Sequence, residues 1–218
     1  LERPTADSTY IPMELKITRG TIRTNPVPYY GMVDKNIGYI AISTFAIEGC
    51  SKDIKKALIE LKQQGATSIV LDLRGNGGGL LSEAVNVVNF FVPKGKEIVV
   101  TKGKIKQAGS TYKTSNEPID MEIPLTVLVD GATASAAEIV SGSLQDLDRA
   151  VIVGNRTYGK GLVQVPRELP YNSSMKVTTA KYYIPSGRCI QAIDYAKRNA
   201  DGSVARIPDS LTTVFHTA

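Results

Sequence analysis

Pro124-Leu-Thr-Val-Leu-Val-Asp130-Gly-Ala-Thr-Ala-Ser135-Ala-Ala-Glu138 is the stretch on which the reading of this chain turns. Its branched apolar run, 124–129, predicts a short, fully buried strand, and Asp130-Gly131 breaks it. From Ser135 onward, Ala136, Ile139, Val140, Leu144 and Leu147 recur at helical spacing. Ser135 is therefore expected on a strand-to-helix turn, where the first amides lack intrahelical acceptors and carry partial positive charge. A second strand over 150–154 leads to a lysine between two glycines, Gly159-Lys160-Gly161. Serine at a helix start and lysine on tight backbone are the two parts of a Ser/Lys nucleophilic pair. Each also has an ordinary use, the serine as an N-cap and the lysine as a solvated turn residue.

Upstream, the same alternation repeats. Ile37–Ile42 predicts a strand, and 51–64 an amphipathic helix with Ile54, Ala57, Leu58 and Leu61 on one face. Ser51 is its expected N-cap and Gly65 its stop. Ser68–Leu73 reads as a buried strand, followed by Arg74-Gly-Asn-Gly-Gly-Gly79 and a helix from Leu80 to about Phe91. Strand and helix in turn predict an α/β layered core with parallel strands. Glu97–Val100 opens a hairpin, and 161–169 with 175–184 form another around Pro170-Tyr-Asn-Ser. Beyond Gln191 the chain becomes polar and turn-rich. Met13–Arg19 alternates as a strand, and Asn25-Pro-Val-Pro28 favours extended linker backbone. A domain boundary is expected there, with 1–30 separate from a core over 31–218.

The glycine run at 75–79 invites comparison with phosphate-binding loops. Gly75 and Gly77 suit a dinucleotide fingerprint, but Leu80 stands where its last glycine belongs, and no Gly-Lys-Ser/Thr follows. Consecutive glycines have a third use: they bring backbone close to a ligand and offer N–H groups to a developing oxyanion. A plain tight turn would need the same residues.

Composition narrows the classes. The 218 residues are 42% hydrophobic and 22% charged, as in ordinary globular proteins, and no run approaches a membrane span. The opening Leu1 suggests an excised piece. The net charge of +5 is spread over single lysines such as Lys52, Lys94 and Lys104, without aromatic interleaving. That pattern describes a solvated surface and no nucleic-acid interface. Two cysteines, Cys50 and Cys189, make neither a disulfide framework nor a metal site. With His216 the single histidine, a His-based triad incorporating Asp72 is set aside.

Taken together, Asp72-Leu-Arg74-x-Asn76-x-Gly78-Gly79, Thr133-Ala-Ser135-Ala-x-Glu138 and Tyr158-Gly-Lys160-Gly-x-Val-Gln164 resemble the C-terminal processing (tail-specific) serine peptidases. The three motifs keep the family's order and spacing, and the resemblance runs from about Lys16 to the end. It implies a crotonase/ClpP-like core that cleaves peptide bonds near protein C-termini without metal or cofactor. Carried onto this chain, it implies Ser135 as nucleophile, Lys160 as general base and Gln164 as the residue orienting the lysine. The amides of Gly79 and Ala136 would form the oxyanion hole. Arg74, Asn76, Gly78 and Glu138 would support it, Arg74 and Asn76 through hydrogen bonds to the glycine-loop backbone. The chain departs from many members at Ala137 and Cys189, where serine is usual. The resemblance also implies that 1–30 ends a PDZ-like domain, that the core is cut short after Ala218, and that the protein works in the bacterial cell envelope.

The chemistry sets its own demands. A lysine takes a hydroxyl proton only when neutral, which from a reference pKa near ~10.4 requires a drop of roughly three units. Leu162, Val163 and Val165 are the expected source of the desolvation. On one strand, Lys160 and Gln164 would share a face. A peptide substrate would dock as an added strand, with the 175–184 strand as the expected edge. Two rivals stay open: an acyl-CoA enzyme of crotonase type, which also uses paired amide donors, and a peptide-binding module without catalysis.

Overall fold

The computed structural model of the chain describes residues 2–4, 10–12, 14–20, 22, 24–105, 107 and 109–206. Its central sheet comprises β3 (Tyr29–Asp34), β4 (Ile37–Ala41), β5 (Ser68–Asp72), β8 (Leu125–Val129) and β9 (Val151–Gly154), side by side in that order. The β3–β4 pair is antiparallel and every later pair is parallel. Helices α1 (Cys50–Gln63), α2 (Leu81–Asn89) and α3 (Ala136–Asp146) make the parallel crossovers. Each crossover steps one way across the sheet, and right-handed connections then bring all three helices to one face. The expected α/β layering is present.

That one-sided cover corrects the expectation of fully buried strands. β8 alternates buried with half-buried residues, Leu125, Val127 and Val129 against Thr126 and Leu128. β5 likewise leaves Ser68 and Val70 half-buried. The buried set (Ile40, Leu71, Val127, and from the helices Leu58, Val88 and Ile139) forms one continuous core.

A second, antiparallel sheet runs β10 (Leu162–Leu169), β11 (Ser173–Tyr183), β6 (Glu97–Gly103) and β7 (Ser110–Lys113). The β10–β11 turn carries Tyr171 and Asn172 at φ 60° and 55°, the paired left-handed conformations that match strand twist. Two small hairpins complete the described residues, β1 (Glu2–Pro4) with β2 (Tyr10–Pro12), and β12 (Ile193–Arg198) with β13 (Val204–Arg206).

Three local expectations need correction. Residues 14–19 form no strand; Leu15 and Ile17 are exposed, so their alternation has no sheet to face. Met13 lies outside the described residues, as does His216. The linker residue Val27 is buried in the core, and the Ser43 amide donates to the Pro26 carbonyl. Finally, Ser51 is not the cap of α1. Gly49 begins that helix at φ 81°, and the carboxylate of Glu83, on α2, accepts the amides of Gly49 (2.9 Å) and Ser51 (2.8 Å). Burial raises the Glu83 pKa, but the Ser51 hydroxyl together with these amides outweighs it and the net shift is downward. The neighbouring Cys50 thiol, buried and facing Glu83, is pushed up to about 12.

Candidate active site

The serine turn begins where β8 ends. Asp130 accepts the amides of Ala132 (2.9 Å) and Thr133 (3.0 Å) and, across the sheet, the Gly75 amide at 3.0 Å. Those bonds, with that of Gly75 the largest, hold its carboxyl below the usual carboxylate range. Thr133 is fully buried, its hydroxyl donating to the Leu73 carbonyl at 2.8 Å, and the Ala134 amide donates to the Asn76 carbonyl at 2.9 Å. The turn is thus bolted to the glycine loop before Ser135 is reached.

Ser135 sits at φ 57°, ψ −117°, immediately before α3. A side-chain-bearing residue at positive φ is sterically costly, and such strain persists only where surroundings over-determine it. The serine stands in a capping box with Glu138 at the start of α3, on a sharp strand-to-helix turn of the kind that can carry a nucleophile. Ala136 follows as the first helical residue, a position whose amide the helix leaves unpaired.

The glycine loop backs this turn. A Cβ on Gly78, at φ +93°, would lie 2.8 Å from the Ala136 nitrogen and 2.6 Å from the Ala134 oxygen. One on Gly79 would lie 2.1 Å from the Ala46 nitrogen. Phe45 donates to the Gly78 carbonyl and accepts from the Leu80 amide, so the Gly79 N–H turns away from Phe45. Asn76 shapes the loop through backbone bonds, as expected: its Nδ2 donates to Ile42 O at 2.8 Å and its Oδ1 accepts the Gly78 amide at 2.9 Å. Arg74 does not. Its guanidinium embraces the Asp72 carboxylate (Nη2 to Oδ2 2.6 Å), which also accepts the Tyr39 hydroxyl at 2.6 Å. A carboxylate two residues away outcompetes loop carbonyls for a guanidinium because the bond is charge-assisted. Burial raises the Asp72 pKa, yet Arg74 and Tyr39 prevail and the carboxyl stays below its ordinary value.

Glu138 joins serine to lysine. It is 3% exposed. Its Oε2 accepts the main-chain amides of both Ser135 and Lys160, each at 2.8 Å, which keeps the two nitrogens within twice that distance. Its Oε1 accepts the Gly159 amide at 2.6 Å and the Thr157 hydroxyl at 2.7 Å. A carboxylate at N3 also suits the helix dipole.

The lysine's surroundings differ from expectation in two respects. Lys160 is exposed, so Leu162, Val163 and Val165 do not enclose it. Nor do Lys160 and Gln164 share a strand: β10 begins at Leu162, and Gly159 just before the lysine is at φ +83°. Gln164 is exposed, paired with Thr178 beside a bulge, and no bond joins it to Lys160 among the described residues. The 175–184 strand is also not a free edge throughout. Over Ala180–Tyr183 it pairs with β6, and from Ser173 to Lys181 with β10. The open edge beside Lys160 belongs to β10.

Sequence reasoning missed Gln191 and Thr157. Gln191 is 6% exposed and accepts the Gly161 amide at 2.8 Å. Only the flanking glycines signalled it: a Cβ on Gly161 would lie 2.3 Å from the Gln191 nitrogen, and one on Gly159 2.2 Å from the Ala192 Cβ. No group of three or more His, Cys, Asp or Glu side chains able to hold a metal occurs among the described residues.

A strained serine at a helix start, with the glycine loop against it and the main-chain amide of Lys160 tied to the same helix, marks this turn of an α/β core as the candidate site. The chain belongs to Peptidase family S41, which it matches over residues 36–196. It is 39% identical over 188 residues to the carboxy-terminal-processing protease of Bartonella bacilliformis, covering 84% of this chain and 42% of that protein. It is 41% identical over 174 residues to the carboxyl-terminal-processing protease of Picosynechococcus, covering 78% and 41%. Among solved structures, a photosystem II D1 C-terminal processing protease superposes with a TM-score of 0.68 at 34% identity, covering 81% of this chain and 48% of that one. The chain thus spans under half the length of these relatives.

Proposed function

We propose that the protein is a serine endopeptidase that cleaves peptide bonds near protein C-termini, with Ser135 as nucleophile and Lys160 as general base on a crotonase-like core. The observation that carries this reading is the shared carboxylate: Glu138 Oε2 holds the amides of Ser135 and Lys160 together. The amides of Ala136 and Gly79 are the donors for the oxyanion formed when the Ser135 hydroxyl attacks a peptide carbonyl. Gln164, third residue of β10, orients the amine once substrate is seated.

Lys160 is exposed in the free chain. In this reading the substrate supplies the missing desolvation, lying as an added strand along the open edge of β10 and covering the amine. The protein then needs neither metal nor cofactor. Its place is the bacterial cell envelope, as the family resemblance implies; no helix among the described residues is long and apolar enough to cross a membrane. The lysine's exposure is also what a peptide-binding module without catalysis would show.

A serine-directed fluorophosphonate separates the two readings. Labelling of the wild type that disappears in both Ser135→Ala and Lys160→Ala supports the peptidase. A wild type that takes up no label while still binding peptide supports the binder and removes the catalytic assignment.

A further inference from the structure

We propose that Gln191 is a positioning residue for Lys160, acting through the peptide plane between Lys160 and Gly161. This rests on the reading of Lys160 as the base.

Where the lysine side chain leaves the backbone depends on the two peptide planes that meet at its Cα. The plane before it, 159–160, is held from both sides: the Lys160 amide donates to Glu138 at 2.8 Å, and the Gly159 carbonyl accepts the Ala192 amide at 3.0 Å. The plane after it, 160–161, has the Gly161 amide, which donates to Gln191 Oε1 at 2.8 Å. Beyond it, the Gly161 carbonyl accepts the Tyr182 amide at 2.8 Å. Glycines on both flanks leave the backbone unusually free to rotate. External clamps are therefore what fix φ and ψ at Lys160.

Gln191 is itself braced. Its Nε2 donates to the Ile193 carbonyl at 3.0 Å, which fixes which end of the amide faces Gly161. The loop that carries it is tied to the C-terminal end of α3: Asp146 accepts the Ser186 hydroxyl (2.6 Å) and amide (3.0 Å), and pairs with Arg188 at 2.9 Å. Arg188 also donates to Gln145 at 2.6 Å. The helix that presents Ser135 at its start thus governs the lysine strap twice, through Glu138 in its first turn and through the 186–191 loop at its last. Both halves of the dyad are referenced to one rigid element. Catalytic groups displaced by about 1 Å lose on the order of 10²-fold in rate, so releasing one plane beside the lysine is expected to show in turnover.

The test compares Gln191→Met, close in shape but with only a weakly accepting thioether, with Gln191→Glu, which keeps an oxygen facing Gly161. Each is made in the protein at its natural length, alone and with Lys160→Ala. A fluorogenic peptide with a free C-terminal carboxylate gives kcat and KM, and the fluorophosphonate gives the reactivity of Ser135. The expected result is a kcat lowered roughly 10–100-fold in Gln191→Met at a KM changed less than about twofold. Gln191→Glu should recover part of the loss, since it keeps an acceptor for Gly161 but gives up the donor to Ile193, and Gln191→Met should add nothing to the residual rate of Lys160→Ala. A Gln191→Met enzyme with wild-type kcat overturns the proposal, as does a further loss on top of Lys160→Ala. Should Gln191→Met fail to fold, Gln191→Asn decides, since its shorter side chain draws the amide oxygen back from Gly161: a lowered kcat at nearly unchanged KM supports the proposal, and a wild-type kcat overturns it. Wild-type labelling in Lys160→Ala would sink the lysine as base, a failure distinct from that of Gln191.

Discussion

Two glycine-rich segments meet at Ser135, and they use glycine for different ends. In the loop 74–79, glycine lets backbone touch backbone: Gly78 lies against 134–136 and Gly79 against 45–46, with no room for a methyl group. The ties of that loop are short-range or cross adjacent strands, through Asp72, Asn76 and Asp130. In the strap 157–161, glycine lets the chain slide between two side-chain acceptors, Glu138 on one side and Gln191 on the other. In the proposed mechanism the first loop is the floor beneath a reacting carbonyl, and the second aims a side chain. The difference teaches that a glycine pair can mark either a surface offered to substrate or a groove into which another part of the protein must fit.

The largest effect should come from the carboxylate that ties the strap to Ser135. Glu138→Ala leaves the amides of Ser135, Gly159 and Lys160 and the Thr157 hydroxyl without their acceptor. An unpaired group costs ~1–3 kcal/mol when buried; the Gly159 amide is buried and the other three groups are partly so. Denaturant titration should show a loss of at least ~3 kcal/mol, and fluorophosphonate labelling should fall to background. A variant as stable as the wild type would break the picture of a strap hung on this carboxylate.

Next in size is a contrast within the loop. Gly78→Ala places a methyl group 2.8 Å from the Ala136 nitrogen at φ +93°, whereas at Gly77 nothing lies within 4 Å. Displacing one oxyanion donor costs ~10²–10³ in rate. Gly78→Ala should therefore slow labelling by about that factor, while Gly77→Ala stays within ~0.5 kcal/mol of wild-type stability and labels normally. Equal rates in the two variants would mean the loop is a plain turn.

The periodic elements could be read from the chain because strand and helix patterns are local: 37–42, 68–73 and the Ser135 turn all stand close to where periodicity puts them. The clamps could not. Glu83 caps α1 from another helix, where Ser51 was the local choice. Gln191 is linked to Gly161 only by the fold. Every buried amide needs an acceptor, but sequence does not say which. The same limit explains residues 14–19, whose alternation is strand-like although no sheet lies beside Leu15 and Ile17. Likewise, apolar neighbours promised burial for Lys160, yet Gly159 turns the strap away from strand geometry just before it. The strain at Ser135 leaves no mark in composition at all.

The smallest effect distinguishes the two segments by acid. In the first loop, Asp72 and Asp130 have carboxyl pKa values below the ordinary range, Asp72 because Arg74 and Tyr39 overcome its burial and Asp130 because of the Gly75 amide. A carboxylate whose folded pKa lies below its unfolded value contributes stability in full above the unfolded value, near ~4, and loses it as pH falls through the folded one. Melting temperature should therefore drop more steeply below about pH 4 in the wild type than in Asp72→Asn, which has no such proton to take up. Arg74 is half exposed and solvent screens the pair, so the expected difference is a few degrees at most. Parallel acid limbs in the two proteins would show that the Asp72–Arg74–Tyr39 group does not stabilise the loop through its charge. The loop would then rest on Asn76 and on the contacts that only glycine permits.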